Sequence, residues 1–211
     1  KPQERGLSHF LEHLLFEGTE KRPTNQLISN EIEKIGGDFN AYTTNERTCF
    51  YIKVLKKHFS IAIDVLSDVM LNSLFNEDHI EREKNVVIKE IDMINDEPRF
   101  YQWLFFQKHL FKNHPCRYPT YGDKKIIQNL TRERICSYFE KYYVPSNMIL
   151  SLVGEAPAWK ELIAEKFVLE RAEKPKITIV KEPLAKKERA VKEKRKIANT
   201  YTVLGFKTAP R

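Results

Sequence analysis

The sequence predicts an α+β fold in which an antiparallel-rich sheet is covered by helices. Three observations carry this. Most of the chain divides into segments with apolar residues at helical spacing; two neighbouring runs, "DFNAYTT" and "RTCFYIKV", are instead rich in β-branched and aromatic residues; and the two kinds of segment do not alternate strictly, which disfavours a doubly wound parallel sheet. The 211 residues, 41% hydrophobic and 31% charged, suffice for a buried core and are unlike a disordered chain. That length suits one large domain or two small ones. No stretch approaches the roughly 18 to 20 apolar residues that span a bilayer, so a soluble chain without a membrane partner is expected.

Taken in order, residues 6 to 17 read as a helix, with Leu7, Phe10, Leu11, Leu14 and Leu15 at helical spacing and Gly18 as a stop. Thr24 or Asn25 caps a second helix, "NQLISNEIEKI", which Gly36 and Gly37 end. The two β-rich runs follow as paired strands, the second alternating through Thr48, Phe50, Ile52 and Val54. "KHFSIAIDVLSDVMLNS" is an amphipathic helix, and Asn76 or Asp78 opens a longer one that runs to about Asn95, ahead of Pro98. "RFYQWLFFQKHLF" is a strongly aromatic helix in which Trp103, Phe105 and Phe106 read as core rather than as a substrate pocket. "NHPCRYPTYGD" is a punctuated loop, and Thr131 caps "RERICSYFEKYY", which ends before Pro145. "NMILSLVG" is predicted as a short apolar strand, "AWKELIAEKF" as a helix and "TYTVLGF" as one more strand. The opening residues, KPQERG, hold no initiator Met and no signal segment, so a fragment is expected.

Cys49, Cys116 and Cys136 make an odd, widely spaced set with no CxxC pair, which fits a reducing compartment better than a disulfide framework; a cytoplasmic address is expected. The net charge of +7 sits largely in "KEPLAKKERAVKEKRK" (181 to 196), where Glu is interleaved. This stretch reads as a solvated linker; the alternative, a basic nucleic-acid-binding module, is disfavoured, and no nucleic-acid partner is expected.

Within the first helix, "GLSHFLEHLLFEGTEK" places three ionisable groups in five positions of an otherwise apolar run. At about 100° per residue, His9 and His13 lie one above the other, with Glu12 beside them. Two imidazoles so spaced present nitrogen ligands to zinc, and a neighbouring carboxylate can take a proton from water that the metal acidifies. The order is H-x-x-E-H, the reverse of the commoner H-E-x-x-H. A lone core histidine is ordinarily just a hydrogen-bonded core histidine, but two with a glutamate among Leu and Phe each need a partner. The long helix offers one. On a wheel, Ile80, Val87, Ile91 and Ile94 form an apolar stripe with Val86 and Met93 a little further round, and Glu83 and Glu90 fall between these two groups. Carboxylates there are costly to bury without a cation; the alternative is a pair of glutamates exposed at the margin of an amphipathic helix.

With "GLSHFLEHLLFEGTEKRP", "GGDFNAYTTNERTCFY", "EREKNVVIKEIDMINDEP" and "YYVPSNMILSLVG" together, the chain resembles the insulinase/pitrilysin family of inverted-motif zinc peptidases, especially its processing-peptidase branch, over nearly its whole length. The resemblance implies a zinc endopeptidase acting on extended peptides or unfolded protein segments. It implies Zn2+ bound by His9, His13 and Glu90, Glu12 as general base and Glu83 as an outer-shell carboxylate. The spacing from His13 to Glu90 agrees with the family pattern. Lys89 stands where relatives often carry a second glutamate, but it points away from the site on the wheel.

Substrate is expected to add a strand at "FNAYT", where the resemblance points to Asn40 and the backbone at Ala41; Asn40 serves equally well as a turn or strand-end residue. The resemblance further implies a half-domain of the mitochondrial-processing-peptidase-like type lacking its first strands. Residues 1–170 would form the catalytic domain, 171–196 a charged linker and 197–211 the opening of a second homologous domain. That second half, or a homologous subunit, would supply an arginine and a tyrosine near the scissile carbonyl. The alternative within this fold is a non-catalytic homologous subunit serving assembly or substrate capture.

Overall fold

The fold is built outward from helix α1 (Leu7–Leu14). In the computed structural model, which describes residues 2–156, 158–170, 172–176, 178–183 and 189–208, Leu7, Phe10, Leu11, Leu14 and Leu15 are all buried, while His9, Glu12 and His13 are half-buried on the flank of that stripe. The helix starts at Gly6, whose φ of 88° is left-handed. A Cβ on Gly6 would lie 2.6 Å from the Tyr121 carbonyl oxygen, and one on Gly122 2.6 Å from that of Arg5. Two glycines thus let the loop before residue 123 close onto the start of α1.

Helix α2 (Asn25–Glu33) is capped by the Thr24 hydroxyl, which accepts from the Leu27 N–H, and the chain turns at Gly36 with φ 71°. Strands β1 (Asp38–Thr43) and β2 (Thr48–Lys53) pair antiparallel, with Asn40 opposite Tyr51, Ala41 opposite Phe50 and Thr43 opposite Thr48. Helices α3 (Phe59–Leu71), α4 (Glu77–Asp96) and α5 (Pro98–Leu110) follow. Pro98 separates the last two, its predecessor Glu97 being extended and capping α5 through its own side chain. Next come α6 (Lys124–Gln128), α7 (Arg132–Tyr142), capped by Thr131, and α8 (Trp159–Lys166). The hairpin and α4 both pack on α1; α7 covers another side of α1, α5 and α6 lie on α4, and α8 lies on α3. The result is a small antiparallel sheet wrapped by helices. One core joins α1 to Ile28 and Ile32 of α2, Val65 and Val69 of α3, Ile80, Val87 and Ile91 of α4, and Ile127 and Ile135.

The turn after α1 is pinned by Arg22, a residue 2% exposed, whose guanidinium donates to Asp68 (2.6 Å), Asp64 (2.6 Å) and Glu31 (2.7 Å), while the Thr19 hydroxyl also donates to Asp68. Removing the cation leaves the buried Asp68 carboxylate without its charge partner. Arg22→Met is therefore expected to cost about 3–5 kcal/mol of stability, to be read as a lower urea midpoint at unchanged slope.

Four expectations need correction. "NMILSLVG" forms no strand, and Ile149 and Val153 are 96% and 94% exposed. Apolar residues on both faces suit an interior strand, but a strand exists only beside a hydrogen-bonding neighbour, and among the described residues none pairs with it. "TYTVLGF" is likewise unpaired for the same reason. Helix α5 buries no residue, Trp103 being 55% exposed and Phe105 and Phe106 half-buried. Its aromatics surround the helix instead of forming a stripe, and the later segment lies along it: the Tyr101 hydroxyl donates to Glu193, the Arg195 guanidinium sits 3.9 Å above the Tyr101 ring, and Gly205 abuts Phe106. Finally, Val86 and Met93 are exposed, so Glu83 and Glu90 border one buried stripe rather than lying between two. Sequence periodicity also missed α6, whose five residues are too few to show it. Residues 171, 177 and 184–188 of the expected linker, and 209–211 of the final segment, lie outside the described residues.

Candidate metal centre

His9 and His13, one helical turn apart on α1, hold their ring centroids 4.8 Å apart. Because α4 packs on α1, Glu90 reaches both. Its Oε2 lies 3.8 Å from His9 Nε2 and 3.5 Å from His13 Nε2, and one ligand atom from each residue falls within 4.8 Å of the others. Zinc bonds of about 2.0–2.2 Å in tetrahedral array set ligand atoms about 3.4 Å apart, so Glu90 already stands within a few tenths of an ångström of that spacing from each ring, and the widest pair, within 4.8 Å, needs a closure of about 1.4 Å. Among the described residues no other group of His, Cys, Asp or Glu meets this spacing.

Glu83, two turns before Glu90 on the same face of α4, supports this arrangement from behind. Its Oε2 is 3.0 Å from His13 Nδ1, which makes Nδ1 the donor, so that in the neutral ring the lone pair falls on Nε2, the nitrogen 3.5 Å from Glu90. His9 Nδ1 is buried without a hydrogen-bond partner, so a ligand on the Nε2 side is what would orient that ring. The donor set of two imidazoles and a carboxylate fits zinc. Lys89 is exposed, as its position on the wheel requires.

The two imidazoles differ in proton affinity. Burial, with the neighbouring His13 charge, pushes His9 down to about 4. Burial also opposes charge on His13, but the Glu83 hydrogen bond and the Glu90, Glu83 and Glu12 carboxylates outweigh it and raise the value. In the metal-free protein, the unfolded chain therefore binds a proton at His9 between pH about 6.5 and about 4 that the folded chain does not, so stability falls as pH drops through that window. The His13 contribution is complete below about 6.5 and is lost as pH rises through the raised folded value, so it does not mask the decline. Melting temperatures of the metal-stripped protein from pH 7 to 4 should show the fall, and His9→Gln should flatten it.

Glu12 is half-buried beside the pair, and its Oε2 accepts a 2.5 Å hydrogen bond from the Thr43 hydroxyl at the end of β1. Asn40 and Ala41 lie on the same strand, but Asn40 is exposed and its Oδ1 accepts from the Ala41 N–H at 2.8 Å; among the described residues no hydrogen bond joins them directly to the His and Glu cluster. Thr43 was not legible as a site residue, since nothing in the sequence shows which strand residue ends opposite α1.

The sequence profile described as Insulinase (Peptidase family M16) matches residues 1–124, more than half of the chain. The chain belongs to this family. All of His9, Glu12, His13, Glu83 and Glu90 fall in that match, while residues 129–211 match the profile described as Peptidase M16 inactive domain. Similar proteins include an uncharacterized zinc protease, YmxG, of Bacillus subtilis, 33% identical over 206 residues, covering 98% of this chain and 50% of that protein. The beta subunit of the mitochondrial-processing peptidase of Dictyostelium discoideum is 36% identical over 166 residues, covering 77% of this chain and 35% of that one. The chain thus spans half or less of the length of these relatives. Among solved structures, a protease from Helicobacter pylori superposes with a TM-score of 0.79 at 26% identity, over 87% of this chain and 46% of that one. Pitrilysin gives 0.68 at 25% identity, over 85% and 20%.

Proposed function

We propose that this M16 chain is the zinc-binding part of a metalloendopeptidase of the processing-peptidase type that hydrolyses extended peptides or unfolded protein segments. The convergence of His9, His13 and Glu90 from two helices, 77 positions apart at the nearer histidine, is the observation that carries this reading. These three side chains would hold zinc, and Glu83 would keep His13 in the ligating tautomer. When bound, zinc supplies Lewis-acid polarisation of a carbonyl and acidification of water. Glu12 takes the proton from the attacking water on its carboxylate and returns it to the leaving amine nitrogen. The low proton affinity of His9 keeps its Nε2 lone pair available at neutral pH.

Substrate adds alongside β1, with Asn40 and the Ala41 backbone as contacts; the bond from Ala41 N–H to the Asn40 side chain would open to admit it. Residues 1–170 constitute the catalytic unit, 171–196 the linker and 197–211 the start of a second, homologous unit, and that unit or a homologous subunit completes the site. The relatives' greater length and the subunit name of the Dictyostelium protein support this. The three free cysteines suit a cytoplasmic setting. Among the described residues no helix is long and apolar enough to cross a membrane.

The test is cleavage of an internally quenched extended peptide by the complete protein before chelation, after it, and after zinc is returned. Loss and recovery of the rate are expected; a rate indifferent to stripping would contradict the reading.

A further inference from the structure

We infer that Thr43 is the positioning residue for Glu12, its hydroxyl holding one carboxylate oxygen so that the other handles the proton. The inference rests on the peptidase reading above and deepens it. Thr43 Oγ1 lies 2.5 Å from Glu12 Oε2 and 3.1 Å from Thr48 Oγ1. A hydroxyl has one hydrogen and an ionised carboxylate only accepts. The Thr43 hydrogen is therefore given to Glu12, and the Thr48 hydroxyl must donate to Thr43. The two bonds form a directed chain that ends on the general base.

Three features make this chain rigid. Thr43 and Thr48 face each other as the last pair before the hairpin turn. The turn is tied by the Thr44 N–H to the Arg47 carbonyl at 2.8 Å and by the Thr44 hydroxyl, which accepts from the Glu46 and Arg47 N–H groups. Both threonines are β-branched, with restricted χ1. Behind them the Tyr143 hydroxyl is buried beside Thr48, so the Thr48 end of the network is covered by protein. Among the described residues Glu12 Oε1 has no hydrogen-bonding partner, which leaves it as the oxygen free to take and return a proton. The donor is a neutral hydroxyl, which orients the carboxylate without setting a cation against it. Thr43 also ends the strand that carries Asn40 and Ala41, so the strand that would seat the peptide is the one that aims the base.

Four forms of the complete protein separate the outcomes: wild type, Glu12→Gln, Thr43→Val and Thr43→Ser. With zinc content equal throughout, Thr43→Val is expected to lower kcat by about tenfold to a hundredfold, with KM within about twofold, whereas Thr43→Ser, which restores the hydroxyl, keeps kcat within about threefold. Crystal structures of the metal-free variants should show Glu12 turned away from residue 43 in the valine form and held in the serine form. A Thr43→Val protein with wild-type kcat, or one whose loss serine does not rescue, overturns the inference even when Glu12→Gln is inactive. If wild type and Glu12→Gln cleave alike, the peptidase reading itself fails and this inference falls with it.

Discussion

Glu90→Gln is expected to weaken zinc binding by about two to three decades. Structural zinc sites bind with about 10–16 kcal/mol; divided over four bonds, one ligand is worth about 2.5–4 kcal/mol, and a neutral amide oxygen recovers little of a carboxylate's share. Glu83→Gln should cost less, about tenfold to a hundredfold, because Glu83 acts on the metal only through His13. Competition titration against a chelator of known affinity measures both. The ranking matters as much as the size: two carboxylates on one face of α4 are assigned different tasks solely because Glu90 Oε2 lies within 4 Å of both imidazole Nε2 atoms, whereas Glu83 meets the far nitrogen of one. Equal losses for the two variants would mean that the assignment is wrong.

Glu12→Gln should retain zinc and lose cleavage by about a hundredfold to ten-thousandfold in kcat, the range ascribed to a positioned general base. The amide is isosteric and its oxygen can still accept from Thr43, so neither the fold nor the His9, His13 and Glu90 cluster is disturbed. What it lacks is a basic oxygen. A variant that turned over peptide at the wild-type rate would show that Glu12 does not carry the proton, however well it is placed.

Much of this was legible from the chain alone because the relevant periods are local. The apolar stripe of α1, the four-residue spacing of His9 and His13, and the seven-residue spacing of Glu83 and Glu90 are properties of single helices, and the structure places these groups as the wheels require. The Thr24 and Thr131 caps were legible for the same reason. What failed depends on neighbours. Residues 147–154 and 200–206 have strand composition, but pairing is decided by whether another strand lies alongside. Trp103, Phe105 and Phe106 look like core by hydrophobicity, yet α5 lies at the periphery, where Tyr101 meets Glu193 and Arg195 and Phe106 meets Gly205, contacts that no helical period could announce. Thr43 was invisible because its role comes from a contact 31 residues away in sequence, between a strand end and a helix flank.

The most direct test of the whole account is zinc-edge anomalous diffraction from crystals of the complete protein. One zinc per chain is expected, bonded at about 2.0–2.2 Å to the Nε2 atoms of His9 and His13 and to a carboxylate oxygen of Glu90. An anomalous map with no peak between α1 and α4, or a peak with the Glu90 carboxylate out of bonding range, would contradict it.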